Sequence, residues 1–287
     1  MFNVFITSPG LFIKINSNNL YMKSIYEEKV VDLRKVRSIY ILSNVKLPET
    51  VLKSLADIPV FKINGKGNLS FVRLPRRRYK KLKNPEKIIK YIFQVSVLQG
   101  KAFVKNLKSS DRRMFRDLKF FEDYEELVYK NRFLAGRKKG LTVEEIYTII
   151  DSMQRRIINN SIMNEGSQKC PIRRELTFKM FHSFYISHII AFLVQKGVSP
   201  QQNFIKNEKF PDFAKMLFLL FKLHSSMLAL RTYEDILIEK DFLKRFDFEM
   251  TTTGKVIVAK LFSEKFVHNP SYQEKLELFL NDLLKIK

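Results

Sequence analysis

The chain has 287 residues, and its 52 lysines and arginines against 29 aspartates and glutamates give a formal net charge of +23 at pH 7. Hydrophobic residues make up 45% of the chain and charged residues 28%, which is typical of a folded protein and too apolar for a disordered one. At roughly 100–200 residues per domain, we expect one or two domains. The single cysteine, Cys170, cannot form an internal disulfide, so nothing indicates an oxidising compartment.

The charge and hydropathy patterns indicate where the protein works and what it binds. No apolar run reaches the ~18 residues that a membrane span needs, and no charged region precedes an apolar stretch at the N-terminus. We therefore expect a soluble, cytoplasmic protein that has no membrane partner. A positive charge of this size is typical of proteins that bind a polyanion, with nucleic acid as the first candidate, although a generally basic surface has the same composition.

Residues 1–73 have the pattern of a β-domain. Seven short apolar runs are separated by turn residues, at positions 4–6, 11–13, 20–22, 30–31, 39–42, 60–63 and 69–72. One helix is predicted after Pro48, because Val51, Leu52 and Leu55 share a helical face. Many short strands with closely spaced turns predict a small sandwich or rolled sheet.

From Asn84 onward the apolar period is helical. Asn84 and Pro85 form a typical helix start, and the apolar residues that follow them predict a first helix. Further helices are predicted at 111–130, 142–158, 175–196, 210–230, 234–246, 253–266 and 270–285. The fold class is therefore α+β: a small, sandwich-like β-domain at 1–73, a basic linker at 74–84, and a larger all-α domain at 85–287.

Basic residues cluster where the two predicted domains meet. Seven of the eleven residues at 73–83 are basic and none is acidic, so this segment needs a counter-charge or full solvation. On the following helix, Lys101, Lys105, Lys108 and Arg112 share one face. A phosphate backbone would supply the counter-charge. The candidate nucleic-acid-binding residues are Arg76, Arg77, Arg78, Lys80, Lys81, Lys83, Lys101, Lys105, Lys108, Arg112, Arg137, Lys138 and Lys139.

The residues by themselves indicate no active site. Cys170 has no second cysteine for a zinc site, and residues 65–67 are too short for a phosphate loop and favour a hairpin turn. His182 and His188 are six apart and do not share a helix face as a metal pair would. Tyr79 is a candidate for stacking on a base, but packing explains it equally well. The sequence thus predicts a DNA- or RNA-binding protein.

Several segments, in order, resemble the CRISPR-associated spacer integrase family, Cas1, over nearly the whole chain. Residues 4–14 resemble its opening β-hairpin, 36–47 a strand and turn before its small helix, and 58–67 the next hairpin. Residues 195–200 and 203–205 resemble the segments before the family's histidine, and 241–255 its late helix entry. The resemblance implies a protein that cuts and joins DNA with a divalent metal, Mg or Mn, held by Glu, His and Asp or Glu on the α-domain.

At least two of the family's three metal ligands are replaced at the matching positions. Lys206 stands where the family has His. Met216, or Lys215 if the register slips by one, stands where the family has Asp ahead of a Phe-Arg pair. The family's Glu matches Asn131 after the segment 124–127, while a second alignment keeps Glu144; we favour Asn131. An ammonium repels a metal and a thioether is a poor ligand for Mg or Mn. We therefore expect a degenerate member that binds DNA, double-stranded or branched, without a cofactor or catalysis.

The resemblance also implies partners, and other interpretations stay open. It implies a homodimer formed through the β-domain and contacts with the small Cas2 subunit or with a canonical integrase paralogue. A second interpretation is an active metal-dependent DNA endonuclease or integrase with ligands among Glu144, His188, Glu208 and Asp212. A third is a basic RNA-binding or structural protein unrelated to CRISPR.

Overall fold

The computed structural model describes residues 1–75, 77–80, 82, 84–106, 143–159, 171–201, 213–236, 249–267 and 270–285. The chain folds into two compact units. The first comprises Met1–Tyr79, Cys170–Gly197 and Arg231–Asn269, and the second Lys80–Lys169, Val198–Leu230 and Pro270–Lys287. The chain therefore passes between the units several times.

Two sheets form the N-terminal part of the first unit. The strands are β1 (Phe2–Ile6), β2 (Phe12–Asn16), β3 (Asn19–Lys23), β4 (Glu28–Asp32), β5 (Val36–Ile41), β6 (Val60–Ile63) and β7 (Leu69–Arg73). A four-stranded sheet has the order β1-β5-β6-β7 and a three-stranded sheet the order β2-β3-β4. Every apolar run of the predicted β-domain is thus a strand, and the predicted α+β class is confirmed.

The pairing corrects one expectation about the N-terminus. Residues 4–14 resemble a β-hairpin in sequence, but β1 pairs in parallel with β5 while β2 pairs with β3. Strands β5 and β6 are also parallel, which requires a crossover, and the helix α1 (Glu49–Ser54) after Pro48 lies in it. The expected hairpin turn at 65–67 is present, because it joins the antiparallel strands β6 and β7.

Both faces of the four-stranded sheet are buried at its central strands, β5 and β6. Val4, Ile6, Ile39 and Ile41 belong to one apolar cluster that also includes Ile13 and Leu20 of the second sheet. Alternate residues on these strands point to the opposite face. There, paired positions on four neighbouring strands form an aromatic row, which consists of Phe5, Tyr40, Phe61 and Phe71. Burial of the central strands on both faces explains why β5 ends in the continuous apolar run 39–42.

The helix α4 (Pro171–Gln195) packs on the aromatic row. Its Phe184 ring lies 5.4 Å from the Tyr40 ring and 5.0 Å from the Phe262 ring. Phe262 ends the helix α7 (Thr252–Phe262), which a π-helical turn (Ser263–Val267) follows. By length and composition, the segment Ile172–Gln195 could cross a membrane, although no membrane span was predicted from the sequence. However, 83% of its apolar 18-residue stretch is buried inside the protein, as in a core helix.

The second unit is helical in its described residues. Its helices are α2 (Pro85–Asn106), α3 (Val143–Ile157), α5 (Phe213–Phe218) and α8 (Pro270–Leu284), and α6 (Lys222–Ile236) begins in it. Helix α2 packs against α3 and α5. Buried residues on these helices, such as Ile89, Phe93, Ile150 and Leu217, form its core. The predicted helix 111–130 and residues 237–246 of another lie outside the described residues.

The predicted single helix at 210–230 is wrong at its centre. The chain leaves α-helical geometry at 219–221, where three backbone N–H groups each donate to the carbonyl three residues earlier. The Leu219 carbonyl instead accepts a bond from the Gln154 side chain, with 2.7 Å between Nε2 and O. Because α3 thus satisfies this carbonyl, the chain can end α5 and begin α6.

Candidate functional site

Two of the four positions matched to the family's metal ligands lie in the described residues. Met216 is on α5 and is fully buried, with an exposed fraction of 0%. Glu144 is in the first turn of α3 and is exposed. Asn131 and Lys206 lie outside the described residues, as do Glu208 and Asp212. Nothing therefore places the predicted ligand positions together.

A buried ion pair joins α3 to the start of α6. The Lys222 Nζ lies 2.5 Å from the Asp151 Oδ1 and 3.3 Å from the Asp151 carbonyl oxygen. The Lys222 residue is only 5% exposed. Burial lowers the pKa of the Lys222 ammonium, and the neighbouring Asp151 carboxylate offsets part of this effect. The pair therefore places a cation in the helical core, at the first residue of α6.

Asp151 has a second cationic partner. The Arg155 Nε donates to the Asp151 Oδ2 at 2.6 Å, one helical turn further along α3. Both carboxylate oxygens are therefore engaged by cations. Burial raises the pKa of the Tyr147 hydroxyl, and the nearby charge of Asp151 raises it further. The Tyr147 hydroxyl therefore stays protonated. Helix α3 thus has a polar cluster, which consists of Tyr147, Asp151, Gln154 and Arg155, beside Lys222 of α6.

No group of three or more His, Cys, Asp or Glu side chains converges anywhere in the described part of the chain. Mg²⁺ and Mn²⁺ prefer oxygen ligands, whereas Met216 offers a soft thioether sulfur. The Asp151 carboxylate has the oxygen atoms that such a metal prefers, but its partner Lys222 would repel a metal ion.

His188, named as an alternative ligand, lies in the core of the first unit. Its Nε2 is 3.1 Å from the Arg37 Nη1, and its ring meets the Phe266 ring edge to face. A guanidinium can only donate, so Nε2 is the acceptor and the proton of the neutral ring is on Nδ1. Burial, with a smaller effect of the Arg37 charge, lowers the pKa of His188 to about 3. His188 therefore links a strand to a helix, and its Nε2 lone pair is already used.

The candidate nucleic-acid-binding residues are described in part. Arg77, Arg78, Lys80 and Lys105 are exposed, and Lys101 is half-buried one turn before Lys105 on α2. The others lie outside the described residues, namely Arg76, Lys81, Lys83, Lys108, Arg112, Arg137, Lys138 and Lys139.

Tyr79 within the basic segment is held locally. Its hydroxyl donates to the Pro75 carbonyl at 2.8 Å, and the Arg77 guanidinium lies 6.0 Å from its ring centroid. Tyr79 is thus tied to Pro75 through its hydroxyl and has the Arg77 guanidinium over its ring.

The sequence analysis did not identify Asp151, Gln154 or Lys222. Asp151 and Lys222 are 71 residues apart, and each alone resembles an ordinary charged position on an amphipathic helix. One signal was available: Asp151 and Gln154 alternate with Ile150, Met153 and Ile157 on the apolar side of the predicted helix 142–158. Polar residues at that edge need partners when the helix packs.

Comparisons with known proteins identify the fold. A CAS1 protein from Thermotoga maritima matches with a TM-score of 0.76 at 16% identity, over 99% of this chain and 96% of that one. A chain of a Cas6-RT-Cas1–Cas2 complex matches with a TM-score of 0.69 at 12% identity, over 99% of this chain but 34% of that one. TtCas1 in a DNA complex matches with a TM-score of 0.55 at 14% identity, over 99% of this chain and 91% of that one.

Sequence comparison alone finds no relative. No protein-family profile and no curated protein matches the chain. The three structures nevertheless cover almost every residue of it. The chain therefore has the fold of the Cas1 proteins.

Proposed function

We propose that this protein is a Cas1-like, DNA-binding component of the spacer-acquisition machinery that lacks an intact metal site. The observation that carries the proposal is the Cas1 fold over 99% of the chain, combined with a fully buried methionine at the position matched to the family's Asp. A thioether and an internal Lys222–Asp151 pair supply no hard ligand set. The protein would then hold DNA without cutting or joining it.

The charge of the chain supports DNA as the polyanion. The net charge of +23 is far above what solubility needs, and Arg77, Arg78 and Lys80 are exposed next to one another. A structural neighbour, TtCas1, has been solved in a complex with DNA. Phosphate contacts of this kind give affinity without sequence specificity.

The same reasoning supports protein partners. A structural neighbour is part of a complex that contains Cas2, and it aligns with nearly the whole of this chain. We extend the proposal to a homodimer that associates with a Cas2 subunit or with a catalytically complete integrase of the same fold. In such an assembly the present protein contributes DNA binding, and its partner contributes the chemistry.

The test combines DNA binding with strand transfer. The full-length protein is titrated into fluorescent double-stranded and branched DNA, and the same DNA is incubated with it in MgCl₂ or MnCl₂, with a catalytically complete Cas1 protein assayed in parallel. We expect binding without cleavage or joining. Robust activity that the Lys206→Ala and Met216→Ala variants leave unchanged would contradict the proposal, because it would place an active metal site elsewhere in the chain.

A second readout does not depend on activity. Met216→Asp places a carboxylate where the family has one, and Met216→Leu is the volume-matched control. In a site without other ligands the buried carboxylate lowers the melting temperature, and MnCl₂ does not restore it. A rise in the melting temperature of Met216→Asp with MnCl₂, absent from Met216→Leu, would instead show that the remaining ligands are present.

A further inference from the structure

The helices α2 and α8 of the second unit enclose an open cleft with a volume of about 390 Å³. This volume lies within the range of sites that bind small organic groups, roughly 300–1,000 Å³. None of its lining residues belongs to the Asp151–Lys222 cluster or to the basic segment 77–80. Its lining residues are Lys87, Lys90, Tyr91, Gln94, Asp282 and Leu283.

An aromatic stack fixes the orientation of Tyr91 in this cleft. The Tyr91 ring lies nearly parallel to the Phe279 ring, with an angle of 23° and 6.0 Å between centroids. Phe279 is in turn held edge to face by Phe221, also at 6.0 Å. Tyr91 is the outermost ring of the three and is 38% exposed. One side of the ring is therefore supported by protein, and the ring is oriented without a ligand.

The charges around the Tyr91 ring are mostly positive. Lys87 and Lys90 lie on the same side of α2 as Tyr91, because positions i, i+3 and i+4 share a helix face. The Asp282 carboxylate opposite them is paired with Lys285, whose Nζ is 3.2 Å from Oδ1. Two lysines and one carboxylate thus line the cleft around a flat aromatic surface, and Gln94 adds an amide that can donate and accept hydrogen bonds.

We propose that this cleft binds one unstacked nucleobase of a single-stranded nucleic acid, with the base stacked on Tyr91 and the adjacent phosphates beside Lys87 and Lys90. Every base has a π-face, so an aromatic ring flanked by cations binds a single strand with little sequence preference. A base that is paired within a duplex cannot enter, because both of its faces are already stacked. The inference rests on the proposed DNA-binding function and adds a subsite for unpaired nucleotides.

The decisive measurement uses the absence of tryptophan from the chain. Tyr91→Trp introduces a single tryptophan at the cleft, and Tyr26→Trp introduces one at a turn whose tyrosine is 91% exposed. Both full-length variants are titrated with dT12, with rU12, and with a relaxed, covalently closed circular duplex, which has no exposed terminal base pair. We expect saturable quenching of the Tyr91→Trp fluorescence by a single strand and none by the duplex. Quenching by dT12 alone or by both single strands supports the site and shows which sugar it accepts.

Binding affinities give the second readout. Base stacking on an aromatic ring contributes enough that Tyr91→Ala should weaken dT12 binding roughly 5- to 150-fold, while Tyr91→Phe stays close to the unchanged protein. Lys90→Ala should lower the salt slope of dT12 binding by about 0.7, the value for one single-strand phosphate contact. A melting curve for each variant verifies that it is folded.

The outcomes separate this inference from the proposed function. If duplex DNA binds while Tyr91→Ala binds dT12 as the unchanged protein does, or if Tyr26→Trp is quenched as strongly as Tyr91→Trp, the nucleobase site is wrong and DNA binding stands. If neither duplex nor single strand binds, the proposed function itself fails.

Discussion

At the scale of single residues, the Asp151–Lys222 pair is electrostatically unequal. Asp151 has two cationic partners, Lys222 and Arg155. The buried Lys222 ammonium, in contrast, is paired with Asp151. Removing one partner of a buried pair usually costs more than the pair itself contributes, because the other charge stays buried alone. Replacing Asp151 and replacing Lys222 should therefore lower the free energy of unfolding by different amounts.

We predict that Asp151→Asn destabilises the protein more than Lys222→Met. The first leaves an ammonium that is 5% exposed near Arg155, at a cost of roughly 3–5 kcal/mol, while the second leaves Asp151 paired with Arg155 and costs less. Urea unfolding at pH 7 measures both, with Lys53→Met in the exposed Lys53–Glu49 pair as the control for charge loss alone. Equal costs for the two core variants would contradict this account.

Burial of His188 should make the stability of the protein depend on pH. Its pKa is about 3 in the folded protein and near 6.5 in the unfolded chain, so between these values the unfolded chain binds a proton that the folded protein does not. The free energy of unfolding should therefore fall with decreasing pH below about 6.5, by up to about 1.4 kcal/mol per pH unit.

The measurement is a difference between two proteins. His188→Gln keeps an acceptor for Arg37 but does not titrate, so the decline between pH 6.5 and 4 should be shallower in this variant than in the unchanged protein. Carboxylates that titrate in the same range affect both proteins alike and cancel. Parallel stability curves would show that His188 is protonated in the folded protein or is not buried.

Residue types alone did not predict the partners in these cores. The sequence analysis treated His188 as a possible ligand, and only the arrangement of β5 and α4 shows that Arg37 occupies its Nε2. Likewise, Asp151 and Lys222 become partners only because α3 and α6 meet. A single sequence shows that a polar residue on an apolar face needs a partner, but the packing of helices decides which residue that is.

At the scale of elements, the β6–β7 turn is the point where a strand pair contacts helix α4. The Asn64 Oδ1 accepts from the backbone N–H groups of Lys66 and Asn68 at 3.0 and 2.9 Å, which closes the turn. Gly67 adopts a φ of +76°, and its carbonyl accepts from the Ser183 hydroxyl at 2.6 Å. The turn therefore fixes the distance between the sheet and α4.

We predict that Gly67→Ala is clearly more destabilising than Gly10→Ala. Both glycines have a φ of +76°, so both substitutions carry the left-handed strain of about 1–2 kcal/mol. At Gly10 the new methyl group meets nothing within 4 Å, whereas at Gly67 it would lie 3.0 Å from the Lys179 Cβ and 3.1 Å from the backbone nitrogen of Met180. Helix backbone cannot yield easily to such a contact.

Chemical denaturation of the two variants gives the difference directly. Because the strain is common to both, the excess loss in Gly67→Ala measures the close approach of the turn to α4. Equal losses would mean that the turn and the helix can separate without cost.

Most elements could be predicted from the sequence because their signals are local. Short apolar runs with turn residues between them located all seven strands of the described residues, and Asn84–Pro85 correctly located the start of α2. The pairing of β1 with β5 was not local, since it joins strands separated by a whole second sheet. The break at 219–221 was also missed, because the hydrogen bond that satisfies the Leu219 carbonyl there comes from Gln154 of α3, which is distant in sequence.

At the scale of the whole molecule, the order of weakly similar segments predicted the fold better than any one motif. Conserved packing can maintain an architecture at 16% identity, because cores tolerate extensive substitution when volume and pattern are kept. Site residues have no such redundancy. The ligand positions were matched through short segments, and Asn131 and Glu144 compete for one of them. The sequence therefore supports a hypothesis about which residues form the site.

The charge of the whole chain leads to a final prediction about salt. Each phosphate that the protein neutralises on duplex DNA contributes about 0.9 to the slope of log affinity against log salt concentration. If Arg77, Arg78 and Lys80 each contact a phosphate, the triple alanine variant should reduce that slope by up to about 2.7 and weaken binding to unrelated duplexes alike.

A matched variant separates this segment from net charge. Lys14, Lys23 and Lys29 are exposed on the three-stranded sheet, and replacing them with alanine removes the same three charges. If the two triple variants lose equal slope, DNA responds to the overall charge of the protein and the segment has no special role. If only the segment variant loses slope, Arg77, Arg78 and Lys80 form part of the DNA path, since long-range attraction is screened within about 10 Å at 0.1 M salt and direct contacts persist.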